Sequence, residues 1–298
     1  MVKTEFAVIG GSYAGLSAAL QLARARRNVT VVDAGLRRNR FVDEAGGTSH
    51  GFLSRDGVAP GAIAAEARRQ LLRYPTVRWL DGLAEEASQR EDGRFGFQVG
   101  GESVDAARLV LATGVRDELP PVSGLAERWG RSIFHCPYCH GYELEAGPIG
   151  IIAASELAHH HAVMLTDWGT PTLFLNDAYR PSEDDLAAFA RRGTRVEAAR
   201  IVRIDGVADV VLADGRTLSM NGLFTQPRTH LASPIAAQLG CTLTQGPMGA
   251  FIQVDAMQQT SVSNVFACGD AARAAGNIAM AVADGAMAGV AAHRSTMV

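Results

Sequence analysis

Excess charge of one sign, cysteine and long apolar runs are all scarce in this chain, and each shortage closes off a class of function. Lys and Arg total 28 against 31 Asp and Glu, a net charge of −3, so nothing draws the protein toward nucleic acid or an anionic membrane. No apolar stretch approaches the ~20 residues that a membrane span needs. Four cysteines in 298 residues cannot knit a disulfide scaffold. The N-terminal run MVKTEFAVIGGSYAG enters a strand-and-turn pattern directly and shows no leader pattern. The expectation is a cytoplasmic globular protein with enough chain for one large or two medium domains.

What is present reads as repeated β-α units. Phe6-Ala-Val-Ile9 is an apolar run too short for a helix, and it stops at Gly10-Gly11. Leu16, Ala19, Leu20 and Ala23 then fall on one helical face, followed by Arg24, Arg26 and Arg27, whose positive charge suits a helix C-terminus. Val29-Thr-Val-Val32 is a second buried strand ending at Asp33; a helix between two strands this close predicts a parallel pair. Further strands are predicted at Arg108–Ala112, running on to Gly114, at Pro148–Ala153, at Thr172–Leu175 and at Val265–Asp270. A small-residue helix is predicted from about Asn277 to His293. Pro120-Pro121 and Gly246-Pro247-Met-Gly249 bound a glycine-poor middle. The predicted class is therefore α/β, with two Rossmann-like lobes, the second inserted into the first: 1–117 plus 246–298 around an insert of 118–245.

The turn Gly10-Gly11-Ser12-Tyr13-Ala14-Gly15 lies after a strand and at a helix start, where a dinucleotide fingerprint belongs. Gly10 serves the tight turn and Gly15 the close helix–strand packing, while Ser12 replaces the glycine that lets a backbone approach pyrophosphate. Asp33 stands about 20 residues further on, where an acidic side chain holds a ribose hydroxyl.

His135-Cys136-Pro137-Tyr138-Cys139-His140 carries the sharpest chemistry. Haem attachment would require export. A zinc site would require two histidines, each a sequence neighbour of a cysteine, to reach one tetrahedral centre with both thiolates. An inert reduced pair and a redox-active dithiol beside a flavin remain, and the dithiol is preferred because such pairs often hold one nucleophilic thiol.

With these landmarks in order, Gly10–Gly15, Ala112-Thr113-Gly114, the Cys pair and Thr260–Asp270, the sequence resembles the low-molecular-weight thioredoxin reductase family over essentially its whole length. The resemblance implies FAD and a homodimer. It puts Gly269-Asp270 near the ribityl–pyrophosphate linkage, Asn277-Ile278 at a helix N-terminus facing the flavin ring, and Arg40 and His50 in a loop covering the cofactor. It also implies that Cys139 faces the flavin and Cys136 exchanges with substrate.

Two departures from that family agree with each other. The second dinucleotide turn, Ile152-Ala-Ala-Ser-Glu-Leu-Ala158, has alanines where glycines are needed and an acid at Glu156, and the following strand leads to Asn176-Asp177 rather than arginines. His140 stands where thioredoxin reductases carry an aspartate. With an unperturbed pKa of ~6.5 it is the better base toward a thiol near neutral pH. Cys-Pro-Tyr-Cys-His-Gly-Tyr-Glu resembles the branch of dithiol oxidases of gliotoxin, holomycin and romidepsin biosynthesis. The expected function is an FAD-dependent dithiol oxidase acting on a small-molecule dithiol, with O2 as acceptor and peroxide as product. An NAD(P)H-dependent disulfide reductase and a non-catalytic flavin redox sensor are the alternatives.

No metal site is expected. His159-His160-His161 are consecutive, so on a helix they point ~100° apart and belong to a partly exposed face. Cys241 and Cys268 read as buried core thiols, Asp184-Asp185 and Arg191-Arg192 as solvated helix surface, and Met280 and Met287 as core or dimer interface.

Overall fold

The computed structural model describes residues 1–297. The chain divides into two compact units. The first comprises Met1–Arg40, Pro60–Arg116 and the chain from Thr229 onward; the second comprises Phe41–Ala59 and Asp117–Arg228.

A seven-stranded sheet is the spine of the first unit. Its path runs β3 (Val77–Asp81), β2 (Val29–Asp33), β1 (Val2–Ile9), β6 (Glu102–Leu111), β5 (Phe95–Val99), β4 (Ala84–Gln89), and β19 (Val265–Ala267) also pairs with β6. Strands β1, β2, β3, β6 and β19 are mutually parallel, while β4–β5–β6 is an antiparallel meander. The apolar run of β1 lacks alternation because both its faces are buried. Phe6 and Val8 pack with Leu16, Leu22 and Phe266 on one side. Ala7 and Ile9 pack with Phe95, Leu109 and Leu111 on the other.

Helix α1 (Tyr13–Arg24) crosses between β1 and β2, as the spacing predicts. It is covered by α8 (Ile278–Arg294), and the small residues of α8 explain how closely the two approach. A Cβ on Gly285 or Gly289 would run into the carbonyl oxygens of Ala14 and Ala18 respectively, and Ser17 Oγ donates to the Val282 carbonyl at 2.7 Å. Short α2 (Arg40–Glu44) opens the segment that belongs to the second unit, and longer α3 (Pro60–Leu71) follows it.

The second unit is built on a five-stranded parallel sheet, β11 (Arg195–Glu197), β10 (Thr170–Phe174), β9 (Pro148–Ile152), β15 (Gly222–Phe224), β8 (Ile133–Phe134). An antiparallel meander of β12 (Ile201–Asp205), β13 (Asp209–Leu212) and β14 (Thr217–Ser219) accompanies it. Helices α4 (Pro137–His140), α5 (Ala158–Met164) and α6 (Glu183–Arg192) complete the unit. Asp185 is more than solvated surface: with Ser182 it closes a capping box at the start of α6.

Strands β7 (Val115–Glu118) and β16 (Arg228–Leu231) carry the chain out of the first unit and back. The outward crossing falls at Arg116/Asp117, and the return comes at Arg228/Thr229 rather than near 246. The reason is burial. Ile235 and Ala236 of α7 (Ile235–Gln238) and Cys241 lie in the core that contains Phe95 and Leu109. The Gly246–Gly249 stretch instead turns the hairpin of β17 (Leu243–Gln245) and β18 (Ala250–Ile252). Phe41–Ala59 joins the second unit because Phe41 packs with Leu125, Trp129 and Ile133, against Gly130, where a Cβ would come within 2.9 Å of it.

Candidate active site

The first-unit turn is a cradle that only glycine permits. Gly10 has φ +111, and a Cβ there would collide with the Ala112 carbonyl; one on Gly15 would collide with the Gly10 carbonyl. The Gly10 N–H donates to Val32 at 2.8 Å and the Ala112 N–H to Ile9 at 2.8 Å, so the ends of β1, β2 and β6 meet at this turn. Ser12 is the N-cap of α1, yet its side chain makes no capping bond and the first turn carries no acid. The start of a twelve-residue helix is thus left open to an anionic ligand.

The neighbouring residues shape the same place. Asp33 Oδ1 accepts the N–H groups of Gly11 at 3.3 Å and Gly35 at 3.2 Å, which fixes the carboxylate and leaves Oδ2 available. Gly269 (φ +68) has Ala14 where a Cβ would go, at 2.9 Å. Asp270 pairs with Arg38 at 3.0 Å. Asn277 caps α8 by accepting the Met280 N–H at 2.9 Å, so Ile278 opens the helix. Thr113 and Gly114 (φ +67) follow Ala112 at the end of β6. Gly10, Ala14, Gly15, Asp33, Ala112 and Gly269 are therefore brought together. Arg40 donates to the Arg37 carbonyl at 3.0 Å, and His50 belongs to the second unit. Arg38 was not singled out from the sequence, since nothing local marks it as the partner of Asp270.

In the second unit Cys136 and Cys139 form a closed disulfide. Cys136 is the extended N-cap of α4, Pro137 opens that helix with its fixed φ, and Cys139 lies in its single turn. Both cysteines are half-buried. The ring of His140 stacks on Phe134 with centroids 4.2 Å apart and planes 8° from parallel. Both its ring nitrogens are buried without a hydrogen-bond partner. Burial, with a smaller contribution from the charge of His50, lowers its pKa to about 4. The expectation of an ordinary imidazole pKa is corrected accordingly: burial holds His140 neutral near neutral pH. His50 lies within 2.9 Å of Thr48 Oγ1 and 3.4 Å of Glu143, in the same unit as the disulfide.

The histidine triplet also differs from expectation. His160 is exposed, but His161 is buried at 2% and packs edge-on against Phe224. Its ring hydrogen-bonds the backbone of His135, one residue before Cys136, and burial lowers its pKa to about 4. Phe134, Phe224 and His161 thus form the floor under the disulfide loop, on three elements that no local pattern connects. Among the described residues no cluster suited to a metal ion is found. Cys241 and Cys268 are buried and free, as expected.

The second dinucleotide turn follows β9. Ala153 is fully buried and donates to Phe174 at 3.0 Å, while Ser155 Oγ accepts the Leu157 N–H at 3.3 Å. An open cavity of about 400 Å³ lies here, lined by Ala154, Ser155, Glu156, Ala178, Tyr179 and Arg180. The acid is present as the sequence suggests, and Arg180 adds a cation that no local pattern marks.

The model of the pyridine nucleotide-disulphide oxidoreductases matches residues 4–285. The chain belongs to that family. Its members are flavoproteins that act on thiols and disulfides, and this oxidoreductase is of the thioredoxin reductase-like kind. It is 33% identical to thioredoxin reductase tcpT of Claviceps purpurea, covering 95% of this chain and 91% of that protein. Among solved structures, an oxidoreductase from Agrobacterium tumefaciens is 56% identical, with 99% of each chain covered and a TM-score of 0.95. HlmI is 32% identical, with 99% of this chain and 93% of that chain covered and a TM-score of 0.89. The two-domain α/β fold of the oxidoreductase is thereby established. No described helix is long and apolar enough to cross a membrane.

Proposed function

We propose that the protein is an FAD-dependent dithiol oxidase that closes a disulfide in a small molecule and passes the electrons to oxygen. The observation that carries this reading is the neutral, unpartnered imidazole of His140, next in sequence to a closed Cys136–Cys139 disulfide. A neutral imidazole brings no negative charge to the cysteine pair and has both nitrogens unpartnered, so it can accept a proton from an incoming thiol once charge at the cysteines raises its basicity.

The residues then act as follows. A substrate thiolate attacks Sγ of Cys136; a substrate–Cys136 disulfide forms, the protein S–S bond breaks, and Cys139 leaves as a thiolate. The second substrate thiol gives its proton to His140 and attacks the substrate sulfur already bound to Cys136. The cyclic disulfide departs and Cys136 leaves as a thiolate. Negative charge appearing at the cysteines raises the pKa of His140 from about 4, so the imidazole becomes a stronger base during the step that needs one. The substrate has lost two electrons to the cysteine pair, which ends as two thiolates; one substrate proton has gone to solvent and the other is on His140.

Gly10, Ser12, Ala14 and Gly15 would receive the pyrophosphate of FAD, Asp33 its ribose, and Ala112-Thr113-Gly114, Gly269-Asp270 and Asn277-Ile278 the ribityl and ring end. The cradle at Gly10 and Gly15 and the uncapped start of α1 suit that group. Bound there, FAD supplies a two-electron acceptor for the reduced cysteine pair and a route onward to oxygen, which leaves as peroxide. His50 is better suited to tuning His140 than to covering the cofactor. Association as a homodimer and a cytoplasmic location remain part of the proposal.

One observation favours a second reading. Arg180 beside the 400 Å³ cavity could receive a phosphate, which would permit NAD(P)H-dependent disulfide reduction. Glu156 on the same cavity opposes it. Anaerobic titration separates the two. Bleaching of the flavin band by a small dithiol, reversed by air with stoichiometric peroxide, supports the oxidase. Rapid bleaching by stoichiometric NADPH or NADH would establish the reductase instead.

A further inference from the structure

Two large aromatic side chains project into solvent on either side of Cys139: Tyr138 is 73% exposed and Tyr142 is 87% exposed. Exposure of this kind is unusual for rings that could have folded back onto the unit's own core. Tyr138 is held in place. Its ring meets that of Trp168 edge to face, with centroids 5.0 Å apart and planes at 88°. Trp168 is anchored in turn: its indole packs partly on the core containing Phe134 and Leu173, and its N–H backbone group donates to Leu165 at 3.0 Å.

The residue that allows this arrangement is Gly141. A Cβ at that position would come within 2.6 Å of Trp168 Cδ1 and 2.7 Å of the Pro137 carbonyl. With ordinary side chains at 141, the indole could not lie against the turn that carries the cysteines. A rigid, preorganised pair of rings therefore stands at the turn that carries the disulfide, with one ring belonging to Tyr138, one of the two residues between the cysteines.

We propose that Tyr138 and Trp168 form an aromatic seat that selects small dithiols carrying an apolar or aromatic ring. This rests on the dithiol oxidase reading above. A substrate joined to Sγ of Cys136 has its carbon skeleton tethered close to that sulfur, and Tyr138, in the same short turn, with Trp168 against it, offers apolar ring surface to that skeleton. Rings recognise rings at little entropic cost, since each has only two rotatable side-chain bonds to fix. A linear polar dithiol has nothing to offer the seat.

The test uses oxidised, flavin-loaded protein and two dithiols, 1,2-benzenedimethanethiol and dithiothreitol, with peroxide formation followed in each case. The wild type is expected to prefer the aromatic dithiol. In Tyr138→Ala the ratio of kcat/KM for the aromatic over the linear dithiol falls about three- to tenfold, carried by KM, and Tyr138→Phe and Trp168→Phe restore most of it. An unchanged ratio in a folded, yellow Tyr138→Ala protein overturns the seat, as does a ratio that Tyr138→Phe loses equally. A second measurement is independent of turnover: binding of the cyclic disulfide of the aromatic dithiol, read by tryptophan fluorescence. Binding that is weakened in Tyr138→Ala and kept in Tyr138→Phe supports the seat even if neither dithiol is oxidised, in which case the oxidase reading alone fails. Competition by a thioredoxin but not by the small disulfide would assign the rings to a protein partner and refute the proposal.

Discussion

Two buried histidines should make the second unit unusually sensitive to mild acid. His140 and His161 are each held near a pKa of about 4 by desolvation, against ~6.5 for an exposed imidazole. A depressed folded-state pKa means that the unfolded chain binds more protons between pH 4 and 6.5, so stability must fall as pH falls through that window. Applying the linkage relation between pH 7.5 and 5 gives a loss of about 2 kcal/mol for each histidine, or roughly 4 kcal/mol for both if they act independently. The measurement is urea unfolding of the flavin-loaded protein at the two pH values, followed by tryptophan fluorescence, to which Trp129 and Trp168 of the second unit contribute alongside Trp79 of the first. The loss between the two pH values should shrink by about 2 kcal/mol in His161→Phe and again in His140→Phe. Each variant also changes absolute stability, but only the pH difference matters. If both variants retain the full acid loss, the histidines are not the groups that titrate, and the neutral state assigned to His140 loses its basis.

Gly10→Ala should cost the protein its yellow colour on gel filtration, because the strained φ and the collision with the Ala112 carbonyl both act on the cradle; retention of stoichiometric flavin would refute its assigned role. Gly285→Val should lower unfolding stability by ~1–3 kcal/mol or more through its clash with Ala14, as measured by thermal denaturation, with no comparable effect from Val at exposed Ala283. Cys136→Ser should abolish dithiol turnover while flavin stays bound, with residual turnover in a peroxide assay counting against the mechanism. His140→Asn should lower kcat by ~10²-fold or more while leaving the disulfide intact by thiol titration; a kcat within a few-fold of wild type would remove His140 from the proton path.

Much of the architecture could be read from local pattern. The run Phe6–Ile9, the glycine turn, the helical spacing of Leu16 to Ala23 and the buried Val29–Val32 together specify a βαβ unit, because periodicity, turn chemistry and capping all act over a few residues. The cysteine spacing likewise confines Cys136 and Cys139 to one helical turn, where they can pair. The missing glycines and the acid of the second dinucleotide turn are equally local, and the structure places Glu156 on the cavity where it was expected to matter.

The tertiary structure decided what depends on partners far apart in the chain. The sequence shows that His140 follows Cys139, but Phe134 and the surrounding core exclude water from its ring and move its pKa, and burial is a property of the packed unit. His161 looks like one of three equivalent histidines until the phase of α5 turns it alone inward, onto Phe224 and the backbone of His135. The return point of the insert was hidden because Gly246 and Pro247 signal a turn equally well at a hairpin and at a domain boundary. Only the burial of Ile235 and Cys241 assigns them to the hairpin. Short-range sterics wrote the elements and the reactive pair into the sequence. The desolvation that tunes the pair arises only when segments separated by tens of residues exclude water together.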